Sequence, residues 1–204
     1  MKLYFSPGAC SLSPHIVLRE LGIDFTPVKV DLGTKKTADG ADFKAINPKG
    51  YVPAIELDNG QVLTEGPAIV QFLADSKPEA GLVPAAGTWE RYRVQEMLNF
   101  ISTEIHKQFS PLFNAANPDS VKDAQKAKLA QRFDEIEPVL AKQPYLNGQT
   151  FGVADAYFFT VLGWSKYFNI DLARWPGISA FVERTAARPA VVAALAFEAQ
   201  AKKA

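Results

Sequence analysis

The chain changes character once, and that change constrains its fold more than any single residue does. Residues 77–87 (KPEAGLVPAAG) carry Pro, Gly and Ala in loop proportions and read as a connector. Ahead of it, strand-like and helix-like segments alternate. Lys2–Phe5 leans towards β, Ser6-Pro7-Gly8 reads as a turn, and Pro14–Leu21 has helical apolar spacing stopped by Gly22. Thr26–Val30 reads as a strand and Asp42–Ala45 as at most a short helix. Val52–Leu57 and Gln61–Leu63 flank Asp58-Asn59-Gly60, a strong hairpin signal, and Gly66–Ala74 reads as a helix with Gly66 at the cap and Pro67 at its first position. This order predicts a parallel βαβ unit followed by an antiparallel hairpin, in a small α/β layer.

Beyond the connector everything reads as helix. The segments are Trp89–Phe113, Ser120–Lys142, the apolar Val153–Phe168, Ile178–Arg188 ended by Pro189, and Ala190–Ala201. The expected fold class is therefore α/β plus all-α, with domains at 1–80 and 87–204. Hydrophobic residues make up 48% and charged residues 22%, ordinary for a globular protein, and formal net charge is zero without a basic run, which argues against nucleic acid as a partner. The apolar stretch around Val153–Trp164 is interrupted by Asp155 and too short to cross a bilayer, and the N-terminus does not read as a secretory signal. One cysteine permits no internal disulfide, and no Cys/His cluster has zinc spacing. The expectation is a cytoplasmic protein without a metal or resident cofactor.

That one cysteine, Cys10, falls where the first strand-like run gives way to a helix start. Unpaired amides and the positive helix end favour thiolate there, although a buried inert thiol is the commoner use of a single cysteine. Val52-Pro53 opens the hairpin; Pro53 suits an edge, and a cis bond would turn the Val52 main chain outward, with a plain strand start as the competing use. Thr64-Glu65-Gly66-Pro67 precedes a helix, where free amides receive a carboxylate and Glu65 receives an ammonium group; ordinary capping is the competing use. On the long helix, Leu98, Ile101, Ile105 and Leu112 form a core stripe, and Asn99, Thr103 and His106 share a polar stripe beside it, either a site wall or a solvated face. His15 lies on the first helix and reads as structural.

Taken together, the pieces LYFSPGACSLSPHIVLRELG, NPKGYVPAIELDNGQVLTEGPAIVQFLAD, NFISTEIHK and FGVADAYFF resemble the cytosolic glutathione transferases over the whole chain, most closely the bacterial beta class. The resemblance implies a thioredoxin-like N-terminal domain, a helical-bundle C-terminal domain and a homodimer. It implies that Cys10 is catalytic and meets the glutathione sulfur, with His106 entering from the helical domain. It also implies that Val52, before a cis Pro53, pairs its backbone with the cysteinyl part, that Glu65 and Gly66 hold the γ-glutamyl end, and that Lys35 (or its neighbour Lys36) reaches the glycyl carboxylate. Asn99 and Thr103 complete the expected glutathione-binding set. Many relatives have serine at position 66, so Gly66 should cost about one hydrogen bond, roughly 1 kcal/mol. The late helix keeps Asp155 but has Gly152 at the cap, half of the usual capping box.

The implied activity is conjugation of the glutathione thiol to small hydrophobic electrophiles, with glutathione as co-substrate rather than cofactor. Tyr92, Phe109, Phe113 and Trp164 are candidate walls for the electrophile. Two rivals remain at this stage. Cys10 could pass glutathione through a mixed disulfide as a thiol-disulfide reductase, or the fold could serve as a non-enzymatic ligand-binding module.

Overall fold

A computed structural model describes residues 1–203 and divides the chain into two compact units, Met1–Val83 together with the segment from Ala187 onward, and Pro84–Ala186. The first unit is built on a five-stranded mixed sheet in the order β3-β2-β1-β4-β5. Its strands are β1 (Lys2–Phe5), β2 (Thr26–Asp31), β3 (Lys36–Thr37), β4 (Ala54–Glu56) and β5 (Val62–Thr64). Strand β1 runs parallel to β2 with Leu3 opposite Pro27, and antiparallel to β4 with Leu3 opposite Ile55. The two-residue β3 has no pattern to betray it; it pairs with β2 only because the Asp31–Lys35 turn brings Lys36 back opposite Asp31.

Local chemistry accounts for these boundaries. Helix α1 (Leu12–Glu20) ends where Gly22, at φ 59°, donates to the Arg19 carbonyl and Ile23 donates to Leu18, a Schellman closure. The hairpin joining β4 and β5 turns on Gly60 at φ 80°, whose amide donates to the Leu57 carbonyl, making a three-residue loop rather than a two-residue one. Tyr4, Val30, Phe43, Val52 and Ala54 close a core cluster around the sheet.

Helix α2 (Gly66–Asp75) starts one residue earlier than expected, so Glu65 occupies the cap and Gly66 and Pro67 the first helical positions. The Glu65 carbonyl accepts the Ala68 and Ile69 amides, which opens the helix. The last helix, α8 (Pro189–Ala201), packs on α1 within this first unit. The expected boundary at 87–204 is corrected accordingly: α8 has Val191, Ala194 and Glu198 on one buried stripe that needs a partner, and α1 supplies it.

The second unit holds the remaining helices. Helix α3 (Trp89–Phe100) is capped by Thr88, whose hydroxyl accepts the Arg91 amide at 3.2 Å. The expected continuous helix to Phe113 is interrupted: Ile101–His106 is a π-helical segment, in which the Lys107 amide reaches back to Ser102, and α4 (Lys107–Phe113) resumes after it. Helix α5 (Asp119–Leu140) packs on α4 and on α7 (Pro176–Ala186). Helix α6 (Val153–Leu162) is buried along its entire length and stops at Gly163, short of the expected Phe168; Ser165–Phe168 is a separate 3-10 turn. The predicted stripe of Leu98, Ile101, Ile105 and Leu112 is buried as expected. Asp155 accepts the Gly152 amide and the Leu146 amide, each at 2.8 Å, so the acidic half of the capping box does the whole task.

Candidate active site

In the first unit, Cys10 lies in the loop between β1 and α1. It is partly buried, and its thiol donates to the Val52 carbonyl at 3.2 Å. Its own carbonyl accepts the Ser13 amide at 3.2 Å and the Ser13 hydroxyl at 3.0 Å. Ser11, fully buried, ties the loop to Ser6 by accepting its amide and donating to its carbonyl. The Val52–Pro53 bond is cis, and Val52 and Pro53 are both buried. A Cβ placed on Gly66 would lie 3.9 Å from the Pro53 ring and 3.9 Å from the Ser13 hydroxyl. The Cys10 loop, the cis-proline strand and the start of α2 therefore converge.

Electrostatics at Cys10 run against the sequence expectation. Burial pushes the Cys10 thiol up to about 12. The backbone amides of Cys10 and Ser11 pull it down and the carboxylates of Glu65 and Glu198 push it up further, but desolvation is the largest influence. The helix start does favour thiolate, as expected. It is outweighed because a charged sulfur here would lose its water.

Glu65 sits at φ 71°, a left-handed conformation rare outside glycine, at the cap of α2. Its side chain caps nothing; it is exposed and pairs with the Lys49 ammonium at 2.7 Å, a partner that sequence reading did not single out. The carboxylate is thus already engaged with an ammonium group, the kind of ligand expected of it. Lys35 is likewise left-handed, at φ 59°, and its ammonium lies 5.4 Å over the Tyr51 ring, while Lys36 is fixed in β3.

In the second unit, Asn99 and Thr103 are exposed, one turn apart, with the Thr103 hydroxyl donating to the Asn99 carbonyl at 3.0 Å. His106 ends the π segment and sits in an aromatic cluster, where its Nδ1 lies 2.6 Å from the Tyr157 hydroxyl and its ring 4.8 Å from Trp164. Trp164 in turn packs edge-on against Phe109 and Phe113. Of the aromatic walls expected for a co-substrate, Phe109 is fully buried core and Trp164 nearly so, whereas Tyr92 and Phe113 are exposed.

Two residues absent from the sequence reading touch candidate residues or their loops: in the second unit Tyr157 on His106, and in the first Glu198, whose carboxylate accepts the Gly8 amide at 2.8 Å two residues ahead of Cys10. A signal for Glu198 was available, since it is an isolated acid in the alanine-rich stretch AVVAALAFEAQA. For Tyr157, in a run that is apolar all round, there was none.

The profile of the glutathione S-transferase N-terminal domain matches residues 8–76 and that of the C-terminal domain residues 100–189. Glutathione S-transferase GstA of Escherichia coli O157:H7 is 46% identical over 198 residues, covering 97% of this chain and 98% of GstA. A sphingomonad glutathione S-transferase solved in complex with glutathione is 47% identical with a TM-score of 0.95, covering 98% of this chain and 99% of that one. The bacterial beta class glutathione S-transferase of Sphingomonas chungbukensis is 46% identical with a TM-score of 0.94, covering 97% and 98% of the two chains. With both halves matched and the thiol, cis-proline and acidic turn gathered in one unit, this chain belongs to the glutathione S-transferase family, with bacterial beta class enzymes among its structural neighbours.

Proposed function

We propose that the protein joins the glutathione thiol to small hydrophobic electrophiles, a detoxifying conjugation, with Cys10 beside the glutathione sulfur as a neutral thiol. The observation that carries this reading is the Cys10 S–H held against the Val52 carbonyl by a loop that also faces Pro53 and the start of α2. Val52 is the residue whose main chain would pair with the cysteinyl part of the tripeptide. Glu65 would exchange Lys49 for the γ-glutamyl ammonium, and the α2 amides at Gly66 would take the neighbouring carboxylate. Lys35 would meet the glycyl carboxylate. Asn99, Thr103 and His106 are proposed to complete the glutathione-binding set.

Free thiols titrate near ~8.5, so glutathione at neutral pH is mostly protonated and needs a site that favours its thiolate. A protonated Cys10 can offer its S–H to that thiolate once the glutathione backbone competes for the Val52 carbonyl. The glutathione sulfur then forms its bond to the electrophilic carbon, and the leaving group departs with the electron pair. The pathway through a mixed disulfide asks for a Cys10 thiolate, which burial disfavours.

We also infer a homodimer, which the exposed apolar side chains Tyr51, Val62 and Phe72 support, and a cytoplasmic setting, which fits a single free thiol. The test compares wild type with Cys10→Ala on two substrates, chlorodinitrobenzene with glutathione and a low-molecular-weight disulfide with glutathione. Conjugation is expected to survive the substitution in reduced form while disulfide reduction is lost. Equal loss of both would replace this reading with a covalent role for Cys10.

A further inference from the structure

The loop that presents Cys10 is held from the far end of the chain. Glu198, on α8, is buried, and its Oε2 accepts the Gly8 amide at 2.8 Å. Its other oxygen, Oε1, lies 3.6 Å from Nδ1 of His15, which is fully buried on α1. Among the described residues, neither of those two facing atoms has a hydrogen-bond partner. The far side of the imidazole is settled by chemistry: Arg19 Nε donates to His15 Nε2 at 2.9 Å, and an arginine cannot accept, so Nε2 is the bare nitrogen and the ring proton sits on Nδ1, aimed at Glu198. Phe5, Phe25 and Phe197 wall the imidazole on its faces and edges. The charged and titratable groups facing Glu198 from the helix it packs on are thus His15 and, behind it, Arg19.

A buried carboxylate with one direct donor is a costly arrangement that an apolar residue on α8 would avoid. Its single donor is not a random amide. Gly8 takes φ 79° in the turn from Ser6, two residues before Cys10, and that turn also contains the Ala9 amide bonded to Ser6. We propose that Glu198 is a positioning residue for Cys10: through the Gly8 amide it fixes the loop that carries the thiol, and His15 and Arg19 keep its carboxylate in orientation.

The inference rests on the preceding reading only in taking Cys10 as the thiol that matters, so its test contains no glutathione. Because Cys10 is the one cysteine, alkylation by iodoacetamide reports on it alone, and amide exchange of the segment 6–10 reports on the loop. In Glu198→Ala, exchange of that segment should quicken by about tenfold, the factor expected for losing one hydrogen bond of ordinary net strength. Glu198→Gln keeps an acceptor oxygen, so it should retain wild-type protection at 6–10 and the wild-type alkylation rate, a rescue that a general loosening of α8 would not show. Wild-type exchange and alkylation in Glu198→Ala would overturn the proposal. So would exchange at 6–10 in Glu198→Gln as fast as in Glu198→Ala, including the case where both substitutions simply loosen α8. Loss of conjugation in Cys10→Ala would alter the reading of the reaction and leave these two measurements untouched.

Discussion

The Cys10 sulfur stands 3.2 Å from the Val52 carbonyl oxygen and donates to it, which is how a protonated thiol behaves and a thiolate cannot. Burial holds that proton, moving the thiol up to about 12. Free Cys10 should therefore alkylate slowly at pH 7, with a rate still climbing by about tenfold per pH unit past pH 9, where an ordinary thiol levels off. Stability carries the same sign. Above about pH 8.5 the unfolded thiol ionises while the folded one keeps its proton, so the unfolded state binds fewer protons and folding weakens as pH rises towards 12. Cys10→Ala should not show that part of the loss, and the difference between the two denaturation series over this window measures it.

Glu65 combines a left-handed backbone with an exposed partner, Lys49. An exposed ion pair contributes little, whereas a non-glycine residue at positive φ costs about 1 kcal/mol or more. Glu65→Gly is therefore expected to raise the melting temperature by a few degrees while glutathione affinity falls by an order of magnitude or more. Thermal denaturation and binding calorimetry on the same preparation would check both halves.

Position 66 is open to a side chain. A Cβ there meets only the Pro53 ring and the Ser13 hydroxyl, both at ordinary contact distance, and φ is not in the left-handed region. Gly66→Ser should add a hydroxyl at the start of α2 without strain. The KM for glutathione is expected to fall about fivefold with kcat little changed, the effect of roughly one hydrogen bond.

In the helical unit, Asp155 alone satisfies the amides of Gly152 and Leu146, in a buried setting. Asp155→Ala removes two charge-assisted acceptors and leaves both donors without them, so a loss of about 3 kcal/mol or more is expected. Denaturant unfolding would show it as a lower midpoint.

Much of this protein was legible before any coordinates. Gly22 and the Asp58-Asn59-Gly60 turn announced themselves because glycine conformations are local, and the stripe Leu98, Ile101, Ile105 and Leu112 did so because helical periodicity is local too. Cys10, Val52, Glu65 and Gly66 were each legible as candidates from their local motifs, and the resemblance to glutathione transferases joined them into one expected set. What it could not reveal depended on burial and on partners distant in the chain. The ionisation of Cys10 is decided by how much water the packed loop excludes, which outweighs the helix-start effect visible in sequence. The π segment at Ile101–His106 and the Tyr157 hydroxyl against His106 had no signal in the spacing either. The last helix joined the first unit, and with it came Glu198, 190 residues from the Gly8 amide it holds. Short-range backbone preferences are written residue by residue, whereas desolvation and long-range pairing exist only once the chain has closed on itself.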